Sequence, residues 1–87
     1  MNAFVYILRD QNGKYYIGST TDLKRRMNQH DSGHTRTTRN MNFPKLIFSQ
    51  QYQNLDSARK IERKLKKLKR KDYIDNIIKD QIIKMNP

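Results

Sequence analysis

Four residues near the start of the chain have side chains or spacing that suit chemistry: Tyr6, Tyr16, Gly18 and Arg26, within FVYILRDQNGKYYIGSTTDLKRR. The guanidinium of Arg26 stays protonated and matches two phosphate oxygens at once. The tyrosine hydroxyls can hold a water or a phosphate oxygen by hydrogen bonds. Gly18 leaves room for a backbone or a neighbouring ring to approach. His30 lies one helical turn beyond Arg26 if that segment is helical. This stretch lacks a carboxylate well placed for the same work. Between residues 57 and 71 there are nine basic residues and one acid, Glu62, which is the plausible hard-oxygen ligand beside a basic helix.

The bulk composition agrees with a phosphate-rich partner. Nineteen Lys and Arg against eight Asp and Glu give a net charge of +11 on 87 residues, a density that fits a polyanion such as nucleic acid. The chain length suits one small domain over residues 1–87 with a thin core. No cysteine is present, which excludes disulfides and thiolate metal sites. No apolar run approaches the roughly 18 residues of a membrane span, and no secretory leader is recognisable. The expectation is a soluble, cytoplasmic protein with no membrane partner and no small-molecule cofactor; protein partners are left open.

The elements that must position these residues follow from periodicity. Residues 3–9 (AFVYILR) read as a strand, Asn12-Gly13 as a turn, and residues 14–19 as a second strand. Two registers compete. A two-residue turn pairs position 7 with 18 and sends Tyr6 and Tyr16 to opposite faces. A three-residue loop over 11–13, with Gly13 in the left-handed region, pairs 6 with 18 and 8 with 16 and puts both tyrosines on one face. A joint role for the tyrosines requires the second. Thr20, Thr21 and Asp22 are N-cap candidates for a helix over 22–31, whose inward stripe is Leu23, Met27 and His30 with Arg26 at its edge. A polar loop runs from 34 to 44. Residues 45–52 give a third strand with Leu46, Phe48 and Tyr52 alternating with polar positions. Asn54 or Asp56 caps a helix over 55–70 with a stripe of Ala58, Ile61, Leu65 and Leu68. Asp72 starts a third helix through about Lys84, its apolar side being Ile74, Ile77, Ile78 and Ile82. The order ββαβαα predicts an α/β (α+β) domain, a small, mainly antiparallel three-stranded sheet flanked by helices.

With these residues in place, the chain resembles the GIY-YIG endonuclease superfamily. Val5-Tyr6-Ile7 matches the first half of the name and Tyr16-Ile17-Gly18 the second; the family's arginine falls at Arg26 and its metal-binding glutamate at Glu62 in ARKIERKLKKL. The first half departs at its opening, with Phe4-Val5 in place of Gly-Ile. The likeness runs from Phe4 to about Ile78 and is greatest to the small single-domain branch related to the nuclease domain of the excision-repair C subunit. It implies a Mg²⁺ (or Mn²⁺) dependent endonuclease acting on DNA, whether branched, nicked or duplex, structure-selective or only weakly selective. By the same resemblance Tyr6 is the general base and Glu62 the metal ligand. Arg26 then clamps charge, Tyr16 positions water or phosphate, and His30 orients the phosphate or assists proton transfer. A phenol of ordinary pKa near 10 is phenolate in only about one molecule in a thousand at neutral pH, so the base role needs nearby cations or a metal to lower it.

Taken singly, each residue has a plainer reading. Strand tyrosines usually pack, Glu62 would pair with Lys66 at i,i+4, and Arg26 and His30 would sit on the surface. The ordered set argues against that. Candidate DNA contacts are Thr35, Arg36, Thr37, Thr38 and Arg39 in the loop and Lys66 in the basic run over 59–71; nothing resembles a base-reading module. The alternative function is a nucleic-acid-binding domain with little or no cleavage of its own, recruited by a larger partner.

Overall fold

The computed structural model of the chain describes residues 1–31, 43–68 and 70–86. The expected loop contacts Thr35, Arg36, Thr37, Thr38 and Arg39 lie outside the described residues. Strands β1 (Ala3–Arg9), β2 (Tyr15–Thr20) and β3 (Lys45–Tyr52) form one antiparallel sheet in the order β2-β1-β3. Helix α1 (Leu23–Asp31) packs on one face, and α2 (Leu55–Leu68) and α3 (Lys71–Asp80) on the other.

The central strand is apolar on both sides because both sides are covered. Ala3, Val5 and Ile7 are fully buried and meet Ile61, Leu65, Ile74 and Ile77 of α2 and α3. Tyr6 and Leu8 point the other way, against Leu23 and Met27 of α1. Burying each large aliphatic side chain contributes about 1.5–3 kcal/mol.

The hairpin adopts the longer loop. Tyr6 pairs with Gly18 and Leu8 with Tyr16, and Gly13 has φ 81°, the left-handed conformation that a three-residue loop demands. Asp10 fixes the choice. Its Oδ1 accepts hydrogen bonds from the backbone N–H of Asn12 (3.0 Å) and Lys14 (2.8 Å), while the Gly13 N–H donates to the Asp10 carbonyl at 3.1 Å.

Caps fall where short polar side chains precede the helices. The Asp22 carboxylate accepts from the Arg25 N–H at 3.1 Å, and the Asn54 side chain from the Ser57 N–H at 2.8 Å, so Asn54 rather than Asp56 caps α2.

Three details depart from expectation. In β3 a bulge between the partners of Ile7 and Leu8 leaves Ile47 unmatched, so Leu46 pairs with Leu8 and Phe48 with Ile7; the two do not share a face, and Leu46 is 41% exposed. Leu68, the last residue of α2, is also 41% exposed and does not complete the buried stripe. Helix α3 ends at Asp80 rather than near Lys84, because Gln81 turns into the left-handed region (φ 58°, ψ 36°) and its N–H closes on the Ile77 carbonyl. The side chain of Gln50 then holds the tail by both ends of its amide, accepting from the Ile83 N–H (2.8 Å) and donating to the Ile83 carbonyl (3.2 Å). Ile83 is buried as a result and Ile82 is 47% exposed, the reverse of a continued helix.

Candidate active site

The site is built around a glycine facing a tyrosine across the hairpin. Tyr6 and Gly18 are paired on the α1 face, and the tip of the Tyr6 ring lies where a Cβ on Gly18 would stand, in contact with Cζ and the hydroxyl and 3.0 Å from Cε1. The missing side chain is what admits the ring. Tyr6 is buried to 1% exposure, and its hydroxyl lies 2.9 Å from Nε2 of buried His30; the O–H donates when the imidazole carries its proton on Nδ1. Tyr16, two residues before Gly18 on the same face, completes a cluster of three rings. Its centroid lies 6.2 Å from that of Tyr6 and 5.3 Å from that of His30. Unlike Tyr6, it is only half-buried.

Helix α1 brings His30 and Arg26 to this face. Its start is tied to the end of β2, since the Thr20 hydroxyl accepts from the Asp22 N–H at 3.1 Å. Arg26 is half-buried, while Lys24 and Arg25 are exposed. The charge of Arg26 reaches the phenol of Tyr6 and works to lower its pKa. The net direction is nonetheless upward. Burial dominates, Tyr16 adds to it, and the Glu62 carboxylate pushes the same way. The phenol is therefore held neutral, contrary to what a free-standing base requires.

Glu62 approaches from the opposite side of the sheet, on α2. Ser19 follows Gly18 and faces α2, and its hydroxyl donates to Glu62 Oε1 at 2.5 Å. The other carboxylate oxygen accepts from Lys66 Nζ at 2.8 Å, the i,i+4 pair expected from the sequence alone. That same ammonium lies 5.6 Å from the Tyr16 ring centroid. Because β2 is an edge strand, side chains from both of its faces meet around its free side, and Lys66 marks where they do. The structure thus brings Tyr6, Tyr16 and His30 into direct contact, with Arg26 and Glu62 close enough for their charges to act on Tyr6.

Ser19 was not singled out from the sequence. The signal was present in the register: with Gly18 opposite Tyr6, its neighbour must face α2, the helix carrying the acid. Arg59 and Arg63, also on α2, line an open surface depression with Glu62.

Among the described residues no cluster of three or more His, Asp or Glu side chains could enclose a metal ion. The donor set here is one carboxylate flanked by the hydroxyl of Ser19. That suits a hard cation such as Mg²⁺, which keeps most of its waters and takes one or two carboxylates plus substrate phosphate oxygens. It does not suit zinc, which wants three or four nitrogen or sulfur ligands.

Comparison with known proteins places this arrangement in context. The family described as the GIY-YIG catalytic domain matches residues 2–75. A UPF0213 protein of Streptococcus pneumoniae is 39% identical over 69 residues, covering 78% of this chain and 70% of that one. A UPF0213 protein of Pectobacterium carotovorum is 34% identical over 79 residues, covering 90% and 79%. The solution NMR structure of the UPF0213 protein from Bacillus halodurans superposes with a TM-score of 0.59 at 30% identity, covering 93% of this chain and 87% of that one.

Proposed function

Because the chain belongs to the GIY-YIG family, whose members are nuclease-type proteins that generally depend on a metal and act on nucleic acid, we propose that it is a Mg²⁺-dependent endonuclease that hydrolyses phosphodiester bonds in DNA. The observation that carries this reading is the meeting of Glu62 with the Tyr6–Tyr16–His30 cluster around one edge strand, bridged by the ammonium of Lys66.

In this reading Glu62, oriented by Ser19, would hold Mg²⁺ (or Mn²⁺), which would supply a Lewis acid to offset the charge that develops on the phosphate oxygens. Arg26 clamps the phosphate from the α1 side, where its delocalised charge matches two oxygens. Tyr16, the more exposed phenol, orients the attacking water or a phosphate oxygen. Tyr6 is kept protonated by burial, so its oxygen takes a proton from water only as it passes its own to His30 Nε2, 2.9 Å away. The Tyr6–His30 pair then serves as one acid–base unit, and neither group has to carry the proton alone. Lys66 leaves Glu62 when substrate arrives and turns its charge to the backbone phosphates. Arg59 and Arg63 flank the same carboxylate and suit adjacent phosphates.

The test is incubation with plain, nicked and flapped duplex DNA in Mg²⁺ or in EDTA. The expected result is cleavage of at least one substrate, abolished by EDTA and slowed about 10²- to 10⁴-fold by His30→Ala. Binding to all three without cleavage of any overturns the enzymatic reading and leaves a nucleic-acid-binding domain.

A further inference from the structure

A second constellation of cations lies at the other end of β2, around Tyr15. This side chain faces α3, opposite in direction to Tyr16, and its hydroxyl donates to the Asp75 carboxylate, which fixes the ring. Arg9 and Lys71 both stand against that ring, with the guanidinium carbon and the ammonium nitrogen each 5.9 Å from its centroid. Both heads turn toward the hairpin loop. A Cβ on Gly13 would lie 3.6 Å from Lys71 Nζ and 4.0 Å from Arg9 Nη2. Across the sheet Arg9 pairs with Lys45, a juxtaposition of like charges that opposes folding.

None of Arg9, Lys45 and Lys71 forms an ion pair among the described residues. Asp10 accepts from the hairpin-loop N–H groups and Asp75 from Tyr15, and neither is in an ion pair with Arg9, Lys45 or Lys71 among the described residues. Cations gathered against their mutual repulsion and braced on an aromatic face are arranged for an anion supplied from outside.

The position relative to the site suggests what that anion is. Tyr15 and Ser19 lie on the same face of β2, four residues apart, which is about 13 Å along the strand. The backbone of one strand advances at least about 3.4 Å per nucleotide, so this span reaches a phosphate only a few nucleotides away.

We propose that Arg9 and Lys71, braced by Tyr15, form a second phosphate anchor that grips the substrate backbone a few nucleotides from the bond being cut. The inference rests on the nuclease reading and deepens it. The anchor contacts backbone only, so it fixes where the site sits without reading sequence.

The experiment measures binding of the full chain, made cleavage-silent by Glu62→Ala, to a fluorescent duplex across a salt series. Adding Arg9→Gln and Lys71→Gln should weaken binding about tenfold and flatten the plot of log K against log salt by about 1–2, since each phosphate contact contributes about 0.9. The control double variant, Lys79→Gln with Lys84→Gln, removes the same charge from exposed positions beyond the constellation and should leave the slope nearly unchanged. Of neutral methylphosphonates placed singly at each of the first few nucleotides beside the cut, at least one should weaken the parent and spare the Arg9/Lys71 variant. Equal loss in both double variants, or an unchanged slope in the first, overturns the anchor while leaving the nuclease reading intact. Failure of the parent to bind any nucleic acid overturns both.

Discussion

Gly18→Ala should damage this protein more than any other single-methyl change, and the reason is local. The added Cβ would occupy the space of Tyr6 Cζ and hydroxyl, in a ring that is 1% exposed and held by His30 at 2.9 Å. The ring cannot swing freely, because Tyr16 and His30 stand against it at centroid distances of 6.2 and 5.6 Å. Overpacking of this kind costs about 1–3 kcal/mol, and losing the buried hydrogen bond about 1 kcal/mol more. Alanine recovers about 0.5–1 kcal/mol over glycine in strand backbone. The net loss is about 1–3.5 kcal/mol, equivalent to a fall in melting temperature of about 4–28 °C for a domain of this size. Thermal denaturation followed by circular dichroism reads it. The double variant with Tyr6→Leu is the internal control, since leucine has no atoms at the ring tip; in that background Gly18→Ala should be neutral or slightly stabilising. A single Gly18→Ala variant melting within about 0.5 kcal/mol of wild type would refute the packing, and with it the account of why this strand carries a glycine.

Four further outcomes follow from the same geometry. Tyr6→Phe leaves the buried His30 nitrogen without its 2.9 Å partner, so stability should fall by about 1–3 kcal/mol and cleavage should slow. Burial raises the Tyr6 pKa, so folding favours the neutral phenol; that contribution is whole below the ordinary tyrosine value and is lost as pH climbs above about 10, and the Tyr6→Phe melting temperature should therefore decline less than that of wild type between about pH 9 and pH 11. Ser19→Ala should weaken metal binding about 10- to 100-fold, the usual effect of removing a group that orients a ligand, with isothermal titration as the readout. Lys66→Ala should tighten metal binding, since it removes the ammonium that holds one oxygen of Glu62 at 2.8 Å, yet weaken DNA binding and reduce its salt slope by about 0.9.

Much of the fold could be read from the sequence because local signals agreed with tertiary ones. The three strands, the first two helices and the antiparallel sheet followed from apolar periodicity, caps and the Asn12-Gly13 turn. The hairpin register did not follow from the turn signal, which allows two loop lengths. It was decided by the Asp10 carboxylate reaching two backbone N–H groups, a choice visible only once both ends of the loop are placed. The end of α3 was hidden for a different reason. Ile82 and Ile83 continue an apolar pattern, and what stops the helix is a turn at Gln81 together with the long-range grip of Gln50 on Ile83. The bulge at Ile47 likewise depends on pairing with β1 and leaves no local mark.

The site divided along the same line. Tyr6, Tyr16, Arg26, His30 and Glu62 were candidates through the likeness to the GIY-YIG motifs; in the structure Tyr6, Tyr16 and His30 meet, and Glu62 is bonded to Ser19 of β2. Ser19 and the protonation of Tyr6 were not apparent from the sequence. Each depends on which helix covers which face of an edge strand, and no periodicity encodes that.

The most direct test of the central claim is single-turnover cleavage of a labelled DNA duplex at saturating protein in Mg²⁺, comparing wild type with Glu62→Gln. The substitution preserves shape and removes the charge that a hard cation needs. The account predicts cleavage by wild type, a rate at least about 10³-fold lower in the variant, and the same melting temperature and DNA affinity in both. Equal cleavage by the two proteins would contradict it, because the Glu62 carboxylate would then have no part in the chemistry.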